Sequence, residues 1–311
     1  MPKILITDGL DEAGIAILRS AVELDDRSGI AAQDLLSLVP AYEGLIVRGR
    51  TRITSDLLDS ARQLRVVGRA GVGVDNIDLA AARSRGVTVV NAPQSTSIAV
   101  AELTFSLLLA IAREIPRADF AMKQGQWLKK ELEGVELAGK TLGLIGFGRI
   151  GAEVGRRAAA FGMHVLAHDP LVPDEEIRGR SSEPASLARI YAGSDFISLH
   201  VPLDETTRGM LDEAAFAMMK PGVRLVCAAR GGVVDEAALL GALERGKVAA
   251  AGLDVFAAEP PGLTPLISHP RVVATPHIGA QTREAQSRAA VDIVAEVLAA
   301  LRGEPLRWKV A

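Results

Sequence analysis

GKTLGLIGFGRIGAEVGRRAAAFGMHVLAHD, residues 139–169, is the stretch that decides the fold. An apolar run, TLGLI, leads into Gly146, Gly148 and Gly151 in G-x-G-x-x-G spacing, with Arg149 and Ile150 between the last two glycines. IGAEVGRRAAAFG then continues with helical periodicity, and a second apolar run ends at Asp169. In this strand–loop–helix setting Gly146 permits a tight turn, Gly148 lets the backbone approach a pyrophosphate, and Gly151 allows close helix–strand packing. The helix start offers its unpaired N–H groups to the phosphates. Asp169, eighteen residues beyond Gly151, stands where a carboxylate accepts hydrogen bonds from ribose hydroxyls and repels a 2′-phosphate. The next residue is Pro170 rather than a basic one, so the expected dinucleotide is NAD, not NADP.

Outward from this unit the β–α rhythm continues. TLGLIG, MHVLAHD, DFISLHV, VRLVCAA, VAAAGLDV and RVVATP read as six strands alternating with helices, the doubly wound plan. Upstream, ILIT (4–7), VELD (22–25), LIVR (45–48), RVVG (65–68) and VTVV (87–90) alternate with helical stretches, which predicts a second open parallel sheet. The turn-rich NAPQSTS joins the two sets, and the last helix, from about Ala280 to Leu301, is expected to return to the first. The fold class is therefore α/β with two doubly wound parallel-sheet domains: a flavodoxin-like substrate domain (1–95 and 281–311) and an inserted Rossmann domain that binds the dinucleotide (96–280). The two chain crossings suggest a hinge with a ligand cleft between the domains. SIAVAELTFSLLLAIAREI, from Ser97, predicts one long helix with more apolar surface than one sheet can cover, and hence a homodimer through residues 97–130.

Arg230, Glu259 and His277 follow three of the predicted strands, in CAARGG, DVFAAEPP and ATPHIG, at the carboxyl ends where an open α/β sheet binds its ligand. An imidazole can take a hydroxyl proton, a carboxylate can orient that imidazole, and a guanidinium can hold a substrate carboxylate. Arg48 and Arg69 also end strands, and two guanidiniums suit a dianionic phosphate. His200 and Pro202, in SLHVPL, suggest a wall on the adenine side.

Composition narrows the partners. The 311 residues are 49% hydrophobic with a net charge of −3, which gives no electrostatic footprint for nucleic acid or an anionic membrane. Small polar metabolites are the expected ligands. Cys227 is the one cysteine, so an intrachain disulfide is excluded, and RLVCAA reads as core packing. The five histidines form no H-E-x-x-H motif, and no metal is expected. MPKILITDGL shows no leader or lipidation site, so the expectation is a cytoplasmic protein.

Six segments together, GRAGVGVDNIDL (68–79), GKTLGLIGFGRIG (139–151), SLHVPL (198–203), ARGGVVDE (229–236), GLDVF with EPP (252–261) and TPHIGA (275–280), carry a resemblance over almost the whole chain. The chain resembles the D-isomer-specific 2-hydroxyacid dehydrogenases, and among them most the members that oxidise D-3-phosphoglycerate at the first step of serine biosynthesis. The resemblance implies that His277 is the acid/base, Glu259 its partner and Arg230 the substrate anchor. It also implies that backbone N–H groups of Val72, Gly73 and Val74 help to hold the substrate carboxylate. Asp254 is implied at the nicotinamide carboxamide, with Thr207, Ala228 and Gly279 also on the cofactor, and Lys129 is implied to reach a neighbouring subunit's site. Ser95 and Thr96 stand where many relatives carry Gly-Asn, and Cys227 where many carry Asn, which changes pocket polarity. The chain stops after one closing helix, so feedback by serine through a regulatory domain is not expected. The rival readings are a glyoxylate or hydroxypyruvate reductase with the same trio, and an NAD-sensing corepressor-like binding protein.

Overall fold

A computed structural model describes residues 1–311 and divides them into two compact units, Met1–Ser97 with Ala280–Ala311 and Ile98–Gly279. In the first unit the chain runs β1 (Lys3–Ile6), α1 (Glu12–Ala21), β2 (Glu23–Asp26), α2 (Ala32–Leu38), β3 (Gly44–Val47), α3 (Ser55–Ser60), β4 (Val66–Arg69), α4 (Leu79–Ser84) and β5 (Thr88–Asn91). The strands form a parallel sheet in the order β2-β1-β3-β4-β5, the flavodoxin-like arrangement. The central strand β3 is buried at every position, as a sheet covered on both faces requires, whereas the edge strand β2 is ELDD and largely exposed. Asp11, Thr54 and Asp78 cap α1, α3 and α4 with their side chains.

The second unit contains α5 (Ser97–Arg113, begun at the last residue of the first unit), α6 (Ile115–Lys123), β6 (Thr141–Ile145), α7 (Arg149–Ala160), β7 (His164–His168), α8 (Asp174–Gly179), β8 (Glu183–Pro184), α9 (Leu187–Gly193), β9 (Phe196–Leu199), α10 (Glu213–Met218), β10 (Val223–Cys227), α11 (Glu236–Glu244), β11 (Val248–Leu253) and β12 (Val272–Ala274). Its strands pair in parallel in the order β12-β11-β10-β9-β6-β7-β8. The sheet has seven strands, not six: the two-residue β8 pairs with β7 at the edge, too short to leave an apolar pattern in sequence. The order switches direction between β6 and β9, and the glycine loop follows β6 at that point.

The long helix expected from Ser97 is broken. Glu114 takes a left-handed conformation, φ 51°, and Pro116 sits in the first turn of α6. Proline has no N–H to continue the ladder and its ring clashes with the carbonyl four residues back, so α5 ends at Arg113.

The last helix, α12 (Arg283–Arg302), returns to the first unit and packs on α1, β4 and β5. A Cβ on Gly68 would come within 2.4 Å of Val297 and 3.0 Å of Ile293, so the missing side chain is what lets α12 lie against β4. Beyond α12 the buried Glu296 carboxylate accepts hydrogen bonds from the Arg307 and Trp308 N–H groups, and the tail covers the β5 edge through an antiparallel bridge from Lys309 to Val90. No helix is long and apolar enough to cross a membrane.

Candidate active site

Arg230, Glu259 and His277 lie beyond the carboxyl ends of β10, β11 and β12, three strands adjacent in the sheet. Parallel pairing alone places their loops on one rim. His277 Nδ1 lies 2.7 Å from Glu259 Oε2. A carboxylate only accepts, so Nδ1 carries the proton and the imidazole's Nε2 is left with a lone pair. Burial pushes the Glu259 carboxyl up, but hydrogen bonds from His277 and the Phe256 N–H, with the charges of His277 and Arg230, hold it below its ordinary value. It is an anion at neutral pH.

The backbone around these side chains is fixed by groups that do not face the rim. His277 has φ 52°, a conformation that costs a non-glycine residue roughly 1–3 kcal/mol and has to be held in place by its surroundings. Its N–H donates to the Asp254 carbonyl at 2.9 Å. The Asp254 carboxylate, 1% exposed, accepts from Thr275 Oγ1 at 2.6 Å and from the N–H groups of Ile278 and Gly279 at 2.8 and 2.9 Å. Sequence reading set Asp254 against the nicotinamide carboxamide. In the structure this carboxylate is buried and accepts three hydrogen bonds from the 275–279 loop, so within the chain it clamps the segment that carries His277.

Two residues that sequence reasoning passed over lock the Arg230 and Glu259 loops together. Glu236, at the start of α11, accepts the Ala257 N–H at 2.7 Å. Gly231 lies so close to the 256–257 peptide that an added Cβ would fall 1.8 Å from the Phe256 carbonyl oxygen. The adjacent glycines after Arg230 were a signal that could have shown this approach. Cys227 is buried and its thiol is pushed up to about 11 by burial, so it is a packing residue. Ala228 is also buried, beneath the rim.

On the other side of the switch point, the glycine loop fits a dinucleotide. Gly146 has φ 92°, a conformation that disfavours any side chain. Gly148 has open space where a Cβ would be and is the N-cap of α7, with no side chain to satisfy the helix's first N–H groups. A Cβ on Gly151 would fall 2.2 Å from the Gly146 carbonyl oxygen, so helix and turn touch as the motif requires. Arg149 and Ile150 open α7. Asp169 Oδ2 accepts the Phe147 N–H at 2.8 Å, which aligns the carboxylate with the loop. His200 packs its carbonyl against Gly146, and its Nε2 lies 2.9 Å from Ser198 Oγ. Burial pushes the His200 imidazole down to about 4, so it is neutral at physiological pH. After it, Thr207 Oγ1 donates to the Pro202 carbonyl at 2.7 Å and closes the turn that follows β9.

The remaining expected residues belong to other parts of the chain. In the first unit Asp8 accepts the N–H groups of Arg48 and Thr51 and the Thr51 hydroxyl, which shapes the loop after β3, and the Arg48 guanidinium reaches Gln281 Oε1 at 2.9 Å. The Arg69 guanidinium lies over Gly71, whose φ of 151° leaves no room for a side chain, and Asn91 holds the Val72 carbonyl at 2.7 Å. Val72, Gly73 and Val74 follow as a partly exposed loop. Lys129 is exposed on the segment after α6, near Trp127 at 75% exposure, and is not brought to any of these groups within its own unit. No group of three or more His, Cys, Asp or Glu side chains is arranged to hold a metal.

Residues 105–279 match the family model described as D-isomer specific 2-hydroxyacid dehydrogenase, NAD binding domain. The chain is 47% identical over 305 residues to D-3-phosphoglycerate dehydrogenase 3, chloroplastic, of Arabidopsis thaliana, covering 97% of this chain and 52% of that one. It spans about half the length of the curated relatives it matches. Among solved structures it is similar to the TT0316 protein of Thermus thermophilus, with 36% identity and a TM-score of 0.90 over 99% of this chain and 100% of that one. It is also similar to a D-lactate dehydrogenase of Aquifex aeolicus complexed with NAD and lactic acid, at 30% identity and a TM-score of 0.84, with 97% and 96% covered. With the glycine loop, the parallel-sheet order and the rim residues in place, the chain belongs to the D-isomer-specific 2-hydroxyacid dehydrogenases, a family that uses NAD.

Proposed function

We propose that this chain oxidises D-3-phosphoglycerate at its 2-hydroxyl, in the direction that supplies serine biosynthesis, and that His277, Glu259 and Arg230 carry the reaction. The observation that carries the proposal is the 2.7 Å pairing of His277 Nδ1 with Glu259 beside Arg230, on strands adjacent in the nucleotide sheet. D-3-Phosphoglycerate is favoured as substrate because the curated relatives at 43–47% identity bear that name.

Within this reading Gly146, Gly148, Gly151 and the start of α7 hold the NAD pyrophosphate, Asp169 the adenosine ribose, and the turn of His200, Pro202 and Thr207 flanks the adenine side, with Ala228 and Gly279 behind the nicotinamide. NAD, when bound, supplies the acceptor for the hydride that leaves C2. Arg230 holds the substrate carboxylate with the N–H groups of Val72–Val74, and the phosphate falls to Arg48 and Arg69, with Lys129 reaching a neighbouring subunit. His277 Nε2 takes the hydroxyl proton, and the resulting imidazolium is stabilised by the Glu259 anion at its other nitrogen. Asp254 meets the nicotinamide carboxamide and, with Glu236 and Gly231, keeps the three loops where the side chains meet.

The partner most consistent with the surface is a second copy of the chain. Ile115, Phe120, Met122 and Trp127 are 54–75% exposed within the 97–130 segment, a concentration of apolar surface that a monomer rarely keeps.

The test is His277→Asn assayed with D-3-phosphoglycerate and NAD. Loss of a positioned acid–base group should cost about 10²–10⁴-fold in kcat with NAD affinity nearly unchanged. An Asn variant of wild-type activity would refute the assignment. A wild-type preference for glyoxylate or hydroxypyruvate over 3-phosphohydroxypyruvate would leave the trio standing and move the substrate to the sibling reductases.

A further inference from the structure

A cavity of about 290 Å³ lies at the amino-terminal halves of β10, β11 and β12, the far ends of the strands whose carboxyl ends carry the catalytic rim. Arg224, Arg271 and Arg117 line it, with Glu114, Glu133 and Ala250 among their neighbours. Arg224 is out of place by the ordinary logic of a parallel sheet. It sits on β10 between Phe196 of β9 and Ala250 of β11, and the other four residues of that strand are buried and apolar. Its Nε is buried with no hydrogen-bond partner, and no carboxylate lies within ion-pair distance of its guanidinium. The Phe196 ring lies 5.7 Å away, and the Glu114 and Asp195 carboxylates act on the guanidinium by charge from beyond ion-pair distance.

Leaving a buried N–H donor without an acceptor is costly, and native proteins leave few such groups unsatisfied. The carboxylates nearby do not supply one. Glu114 is paired with Arg117 at 2.8 Å, Asp195 is paired with Lys220, and Glu133 is exposed. Arg271, exposed at the start of β12, is likewise in no ion pair, so two guanidiniums without a direct ion-pair partner line one cavity. The volume is near the lower end of small-molecule sites, which run from about 300 Å³.

We infer that this cavity binds a small organic anion with two or more carboxylate or phosphate groups, one held by Arg224 and one by Arg271. The site is separate from the catalytic rim: along β10 the two are roughly 15 Å apart at about 3.3 Å per residue. The inference stands on these residues alone and does not depend on the identity of the substrate.

Citrate, titrated calorimetrically into the full chain in saturating NAD, tests it. The expected result is one citrate per chain, weakened at least about tenfold in Arg224→Leu and in Arg271→Ser, the least that a lost charge-assisted hydrogen bond of this kind costs. Arg230→Gln, at the rim, should leave citrate affinity unchanged. Arg271 is exposed, so its variant tests the site even if Arg224→Leu fails to fold. No citrate binding to the wild type, or binding lost in Arg230→Gln and unchanged in Arg271→Ser, would overturn the inference.

Discussion

Replacing Gly231 with alanine perturbs the proposed catalytic geometry without touching a side chain of the trio. The added Cβ would lie 1.8 Å from the Phe256 carbonyl oxygen, 2.2 Å from its carbon and 2.8 Å from the Ala257 nitrogen. All three are backbone atoms, so no rotamer change relieves the clash. Carbon–oxygen contacts of this sort begin at about 3.3 Å, so one loop must retreat by about 1.5 Å. The 256–259 segment carries Glu259, whose Oε1 accepts the Phe256 N–H at 3.1 Å and whose Oε2 meets His277 at 2.7 Å. The retreat therefore acts on the acid–base pair, on the Arg230 loop, or on both. A misplacement of about 1 Å can cost ~10²-fold in rate, so kcat/KM for D-3-phosphoglycerate should fall by at least about 10²-fold. Stopped or steady-state recording of NADH formation gives that number, and calorimetric NAD titration gives the control, since the Gly146–Gly151 loop follows a different strand. A Gly231→Ala enzyme within about threefold of wild type would refute the argument that this close approach sets the catalytic geometry. So would a loss of NAD affinity as large as the loss of kcat/KM.

Other outcomes follow from groups already placed. Arg48→Ala should raise KM for D-3-phosphoglycerate by about 10–100-fold, the worth of a charged hydrogen bond, and change KM for glyoxylate little; equal changes would remove Arg48 from phosphate binding. Burial pushes the Asp8 carboxyl up, but hydrogen bonds from Thr51 and the Arg48 N–H, with the Arg50 charge, more than offset it and hold it below its ordinary value. Its stabilising effect is thus full above about pH 4 and lost as pH falls through the lowered value. Asp8→Asn should cost about 1–3 kcal/mol at pH 7 by urea unfolding and show a flatter loss of stability below pH 4. His200 is shifted the other way for its type: the folded state stays neutral down to about 4 while the unfolded chain takes up its proton near 6.5. Stability should therefore decline as pH drops from 6.5 toward 4, and the Tm of His200→Gln should decline less over that window; parallel curves would contradict the burial of this imidazole.

Much of the architecture was legible because parallel α/β sheets write themselves locally. Each strand is a short apolar run closed by a turn, and the glycine spacing identifies the strand at the switch point, so β6 and α7 could be placed from residues 139–169. The trio was legible for the same reason, since residues just past adjacent strands must share a rim. What escaped was either short or long-range. The two-residue β8 carries no periodicity, and the polar DEEIRG of α8 reads as loop. Glu236 and Asp8 do their work through backbone N–H groups 21 and 43 residues away, and nothing in the local sequence of an acidic residue at a helix start or in a loop discloses such a partner. Pro116, just past the apolar stretch, is the signal that could have placed the break after α5.

Asp254 shows how one carboxylate beneath the rim can organise the loop above it. The resemblance implies a contact between Asp254 and the nicotinamide carboxamide. Its carboxylate, 1% exposed, also accepts three hydrogen bonds, and those bonds converge on the segment that holds His277 at a positive φ. The strain at His277 and the buried charge at Asp254 explain each other: the conformation persists because donors on its own loop satisfy an anion that would otherwise be expensive to bury. Reactivity at the rim then depends on a clamp beneath it. Choice of substrate, by contrast, rests in the proposal on Arg48 and Arg69, on separate loops of the other unit. A change of substrate within this fold therefore requires no alteration of the clamp or the pair it supports.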